Sequence, residues 1–153
     1  MRIVDLVPPG AVADDLRAGT KEEVLREMSA LLAARVPGLS ADALARVLSE
    51  REGLGSTGIG DGVAIPHGKI AGLKQLVVAV GRSRAGVPFQ SLDGMPAHLF
   101  FLVAAPPDSA GLHLKALARI SRLVKDARWR EALLSARDAG EMTRLLREED
   151  EGA

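Results

Sequence analysis

The stretch Arg51-Glu52-Gly53-Leu54-Gly55-Ser56-Thr57-Gly58-Ile59-Gly60-Asp61-Gly62-Val63-Ala64-Ile65-Pro66-His67-Gly68-Lys69 decides how the whole chain is read. Six glycines fall between Gly53 and Gly68. Glycine enters positive φ freely and lets another backbone approach closely. The segment is therefore a boundary. Helical sequence lies before it and β-rich sequence after it.

Upstream, Thr20-Lys21-Glu22-Glu23 reads as a capping box, with Thr20 as N-cap and Glu23 reaching back. Val24, Leu25, Met28, Leu31 and Leu32 follow at helical spacing, and Pro37-Gly38 ends that helix. Ser40 can cap a second helix with Leu44, Val47 and Leu48 on its inner face. Arg2 to Val7 has strand character and stops at Pro8-Pro9-Gly10.

Downstream, Val63 to Ile65, Leu76 to Val80 and Leu99 to Val103 are β-rich, and the last two are apolar throughout, as in strands covered on both faces. Asp93-Gly94 marks a turn before the last of them. After Pro106-Pro107, Leu112, Ala116, Leu117, Ile120, Leu123 and Val124 form one helical stripe. Shorter helices are expected around Trp129 to Ala136 and Glu141 to Leu146, with Phe100, Phe101 and Trp129 in the packing. The charged tail from Arg147 to Ala153 is expected to fray.

Strands enclosed by early and late helices imply an α/β sandwich with helices on both faces, while the pattern does not give strand order. The 153 residues fit one domain, spanning 1–153. Twenty basic and twenty acidic side chains cancel, which speaks against a protein built chiefly to hold nucleic acid. Without cysteine there are no disulfides, thiolate metal sites or cysteine nucleophiles. The N-terminus lacks an apolar signal core and the run Leu99 to Ala105 is too short to span a bilayer, so a cytoplasmic location without membrane insertion is expected.

Two motif matches fail on context. Gly53 to Gly58 fits G-x-G-x-x-G, but it follows a helix and runs into a strand, the reverse of a dinucleotide site. Gly68-Lys69 resembles the end of a phosphate-binding P-loop, but Val63 stands where its first glycine would be and Ile70 where Ser or Thr is needed. What remains is an anion-binding character. Glycine turns can aim N–H groups at one anion, Ser56 and Thr57 add hydroxyls, and Arg51 adds a planar cation. His67, after Pro66, sits at a strand end beside these donors, which suits nucleophilic phosphoryl chemistry.

GSTGIGDGVAIPHGK, from Gly55 to Lys69, resembles the active-site signature of bacterial phosphotransferase system enzyme IIA domains of the fructose/mannitol and nitrogen-regulatory type. The resemblance extends over nearly the whole chain and implies the enzyme IIA fructose/mannitol-type fold, an α/β three-layer sandwich with a mixed β-sheet and helices on both faces, and a phosphorylated His67. It maps the arginine before the glycine stretch onto Arg51. It maps an assisting histidine onto His113, in His113-Leu114-Lys115-Ala116-Leu117. One of Ser56 and Thr57 is expected to contact phosphate or orient a histidine, and Gly58 and Lys69 are further candidates for phosphate or partner contact. Asp61 departs from the pattern, which more often has asparagine there, and is expected to face solvent. His98 is covered by no motif and is read as structural or exposed.

The implied donor is the phosphohistidine of an HPr-like phosphocarrier, with no cofactor and no metal, and the family suggests Nε2 as the phosphorylated nitrogen. The acceptor is either an enzyme IIB cysteine, in sugar transport, or a regulatory target protein whose binding changes with phosphorylation. A chain without fused IIB or membrane segments favours the nitrogen-regulatory branch. A module that binds a small anion without being phosphorylated is the alternative from another class.

Overall fold

The computed structural model describes residues 1–152, with side-chain surroundings up to residue 149. In chain order the elements are β1 (Val12–Ala13), α1 (Lys21–Ala33), α2 (Ala41–Glu52), β2 (Gly58–Gly60), β3 (Val63–Ala64), β4 (His67–Lys69), β5 (Val77–Val87), β6 (Ala97–Ala105), α3 (Ala110–Leu123), α4 (Ala127–Ser135) and α5 (Ala139–Gly152). The sheet runs β1-β5-β6-β3-β2, with β4 also pairing β6. It is mixed: β5 and β6 are antiparallel, whereas β1 runs parallel to β5, and both β3 and β4 run parallel to β6.

β6 shows how the three layers arise. Leu99, Phe101, Val103 and Ala105 join α3, α4 and α5 in one core. Phe100, Leu102 and Ala104 join α1 and α2 in the other. Alternate side chains of one strand thus enter opposite layers, and a strand apolar on both faces is what a doubly covered sheet requires. The expected α/β three-layer sandwich is present. Phe101 stacks on Trp129 with ring centroids 6.1 Å apart. Arg82, fully buried in β5, donates to the carbonyls of Leu133 and Ala136 at 2.7 Å, tying the end of α4 to the sheet.

Local caps account for the helix starts. Thr20 Oγ1 accepts from the Glu23 amide at 3.2 Å, Ser40 Oγ from the Ala43 amide at 3.1 Å, and Asp126 from the Arg128 amide at 2.9 Å. The glycine-rich segment does separate a helix from strands, since Gly53 ends α2 and β2 follows.

Two expectations need correction. Arg2 to Val7 is not a strand: Ile3–Leu6 form a 3-10 turn whose Ile3 is buried against the α3–α5 side of the sheet. Its apolar residues are used to seal that core rather than to pair with a strand. Leu112 does not belong to the buried stripe of α3. It is 52% exposed, and the buried residues are His113, Ala116, Ile120 and Leu123. Arg147 to Gly152 continue α5. Leu146 is anchored at 1% exposure, and an i,i+4 pair joins Arg144 Nη1 and Glu148 Oε1 at 2.8 Å. Ala153 lies outside the described residues.

Candidate functional site around His67 and His113

His67 is the first residue of β4 and half-buried. β3 and β4 lie along the same partner, with Ala64 opposite Phe100 and His67 opposite Val103. Ile65-Pro66 interrupts them. That break turns the Ile65 carbonyl to the imidazole, where His67 Nδ1 lies 2.8 Å away. A carbonyl only accepts, so Nδ1 carries the proton and Nε2 keeps its lone pair. Gly68 explains its own place in the motif: a Cβ there would lie 2.5 Å from Val47 Cγ1 of α2. Only glycine lets the strand bearing His67 press so closely onto that helix.

His113 faces His67 from the first turn of α3, with ring centroids 5.5 Å apart and planes at 76°. It is 7% exposed, and its Nε2 is buried without a hydrogen-bond partner. An unpartnered buried polar atom is costly, and this one belongs beside a histidine with a free nitrogen. The α3 terminus is open as well. Its N-cap Ser109 makes no side-chain cap, because its hydroxyl donates instead to the Pro106 carbonyl at 2.6 Å. First-turn amides have no carbonyl a turn earlier to bond, and the helix dipole there favours negative charge.

Both imidazoles are held below the usual histidine pKa. For His67 burial is the main cause, with the Arg51 charge adding to it and the Ile65 carbonyl and Glu52 opposing it. For His113 burial again leads, followed by His67 and the Lys69 charge. Two neutral rings beside cations are prepared to receive an anion, and a neutral ring is the nucleophilic form.

The remaining candidates divide. Arg51, in the last turn of α2, donates Nη1 to the Gly55 carbonyl at 3.0 Å, near enough to His67 to act on its charge. Lys69 is exposed at the end of β4 and acts on His113. Ser56 and Thr57 spend their hydroxyls on the protein. Ser56 Oγ donates to the Phe89 carbonyl at 2.6 Å and accepts from the Gly58 amide at 3.0 Å. The Thr57 hydroxyl donates to Glu52 Oε2, and its amide to Glu52 Oε1 at 3.1 Å. Gly58 serves close packing, since a Cβ there would fall 2.4 Å from Ser91 Oγ. The amides of Thr57 and Gly58 are therefore committed to protein acceptors, and the open donors lie on the α3 side.

Asp61 is exposed in the turn after β2, at φ +56°. His98 has a structural setting: its Nδ1 lies 2.9 Å from the Ser83 carbonyl and its ring covers Gly86. Sequence reasoning gives Glu52 and Lys21 no role. They form a buried pair at 2.9 Å. Among the described residues no cluster of three or more His, Cys, Asp or Glu could hold a metal, and no helix is long and apolar enough to cross a membrane. A cavity of about 560 Å³ between Asp5–Pro9, Arg35–Leu39 and Ala71–Val77 holds none of these residues.

Comparison with known proteins shows the family and the fold. Residues 5–149 match the family model "Phosphoenolpyruvate-dependent sugar phosphotransferase system, EIIA 2". A nitrogen regulatory protein of Bradyrhizobium diazoefficiens is 42% identical over 91% of this chain and 90% of its own length. The fructose-specific EIIABC component of Bacillus subtilis is 35% identical over 98% of this chain, which spans 24% of that larger protein. The crystal structure of nitrogen regulatory protein IIA-Ntr from Neisseria meningitidis superposes with a TM-score of 0.87 at 35% identity, over 94% of this chain and 98% of that one. The chain thus belongs to the EIIA 2 family of the phosphoenolpyruvate-dependent sugar phosphotransferase system, and is a component of phosphoryl transfer.

Proposed function

We propose that His67 Nε2 carries the phosphoryl group, received from the phosphohistidine of an HPr-like protein. The observation that carries this reading is the anchored Nδ1–H of His67 at the Ile65 carbonyl, with the unpartnered Nε2 of buried His113 facing the same ring. In the transfer, the Nε2 lone pair forms the new N–P bond. The donor's N–P bond breaks, and its electron pair returns to the donor imidazole. The His67 ring becomes cationic in the process. The Ile65 carbonyl supports its Nδ1–H, and the nearby Glu52 charge favours that state. His113 Nε2 and the open first turn of α3 are placed to hold the phosphoryl oxygens, with Arg51 and Lys69 adding positive field.

The downstream role we favour is regulation: phosphorylation adds negative charge to an exposed face and changes which partner binds there. The identity to a nitrogen regulatory protein over nearly its full length supports this branch. The likeness to a fructose-specific component supports the second reading, transfer onward to an enzyme IIB cysteine. Binding of a small anion without phosphorylation remains the third.

The test is incubation with enzyme I, an HPr-like protein and phosphoenolpyruvate, followed by intact mass. An acid-labile phosphate adduct is expected on the wild type and none on His67→Ala. Absence of an adduct on the wild type, with a donor shown to be charged, would leave anion binding as the better account. Addition of purified IIB domains then separates transport from regulation, since rapid discharge onto IIB indicates transport.

A further inference from the structure

Lys21 is the first residue of α1 and yet only 9% exposed. A cation there meets the positive end of the helix dipole, and burial adds a desolvation cost. Its ammonium donates to Glu52 Oε1 at 2.9 Å and to Gln90 Oε1 at 3.0 Å, and lies 4.7 Å from the centre of the Phe89 ring. The Glu52 carboxylate also accepts from Thr57, from its amide and from its hydroxyl. The Thr57 carbonyl accepts from the Ile65 amide at 3.0 Å. The Ile65 carbonyl in turn holds His67 Nδ1 at 2.8 Å. An unbroken chain of hydrogen bonds therefore runs from the start of α1 to the nucleophile: Lys21, Glu52, Thr57, Ile65, His67.

We propose that Lys21 and Glu52 are positioning residues for phosphoryl transfer at His67, acting by fixing the peptide carbonyl that orients the imidazole. This role presupposes that His67 carries phosphate. Stability alone is a poor reason for such a pair, because a buried ion pair is often no better than apolar residues of similar size. What an apolar pair cannot do is accept from Thr57. Neither residue lies on the exposed face of the site, so the effect belongs in turnover rather than in donor affinity.

Two double variants separate positioning from stability. Lys21→Met/Glu52→Leu keeps the volume and removes the acceptor. Lys21→Met/Glu52→Gln keeps an acceptor for the Thr57 amide without the charge. The Met/Gln pair is expected to melt near the wild type, and Met/Leu to fold with a lower midpoint, because the buried Thr57 amide and hydroxyl lose their acceptor. The Met/Leu pair is expected to lower kcat by about tenfold or more, with the donor KM changed by less than about twofold. The Met/Gln pair is expected to recover most of the rate. The imidazole nitrogen NMR of unphosphorylated His67 gives a second readout that needs no phosphate. It is expected to show a single Nδ1–H tautomer in the wild type and Met/Gln protein, and a mixture in Met/Leu. Wild-type rate and a single tautomer in Met/Leu would overturn the positioning role. If Met/Leu does not fold, Thr57→Val removes one of the two holds on Glu52, and wild-type rate and tautomer there would overturn it equally. A wild type that takes no phosphate sinks the carrier reading, while the tautomer comparison still decides what Lys21 and Glu52 do.

Discussion

The two sides of His67 treat their polar groups in opposite ways. On the α2 side the hydroxyls of Ser56 and Thr57, their neighbouring amides and the Arg51 guanidinium all have protein partners. On the α3 side the helix has no side-chain cap and His113 Nε2 is buried without a partner. Saturated groups hold a shape, and vacant ones receive a ligand. The glycine-rich segment, the more conspicuous in sequence, is thus the scaffold of the site. In the proposed transfer, the plainer helix start is its receiving end.

Three substitutions press on that contrast. His113→Ala removes the unpartnered Nε2, and transfer from the charged donor protein is expected to slow about a hundredfold, ~2.7 kcal/mol, with little change in melting temperature. An equally large loss of stability would show instead that His113 belongs to the scaffold. Gly68→Ala places a methyl 2.5 Å from Val47 Cγ1. It is expected to cost about 1–3 kcal/mol in denaturant unfolding, partly restored by Val47→Ala. Unchanged stability would mean that β4 and α2 are not rigidly seated. Ser109→Asp adds a carboxylate at the open helix start. Helix stability is expected to hold or rise by up to about 1 kcal/mol, while phosphorylation slows several-fold because the anion site is already occupied. A faster reaction would place the receiving end elsewhere.

The smallest effect is in pH. Both histidines have folded pKa values below the usual one, chiefly through burial. Below the ordinary histidine value the unfolded chain therefore binds more protons than the folded one. Stability from these groups should fall as the pH is lowered from that value through the depressed ones, and His67 should stay reactive into the same window. Arg51→Ala removes a charge that lowers the His67 value, so the titration midpoint in histidine NMR should move up. A downward shift would contradict the electrostatic picture of the site.

The sequence carries the layers and the helix starts well, because those signals are local. Thr20 and Ser40 cap within three residues of themselves, and the alternating burial of Leu99 to Ala105 needs only the strand's own periodicity. His67 and His113 are legible through the length of their motif. Arg2 to Val7 misleads because a short apolar run does not say whether it meets a strand edge or a helix layer, and Ile3 meets the latter. Leu112 misleads for a related reason. At the first turn of α3 the inward position is taken by His113, which leaves Leu112 and Leu114 at 52% and 68% exposure. Lys21 and Glu52 are invisible for the deepest reason. Each is an ordinary helix charge until α1 and α2 pack, and the partners are separated by 31 positions.

The break at Ile65-Pro66 has a consequence for how this site tolerates change. The group that sets the tautomer of His67 is a peptide oxygen, not a side chain. Any amino acid at position 65 supplies the same oxygen. Replacing Ile65 therefore tests only its packing in the core, and scanning substitutions there will pass over the contact entirely. A backbone ester at that linkage, with its weaker acceptor, would reveal it. The proton on His67 is thus placed by the path of the main chain, beyond the reach of exchange at position 65 itself.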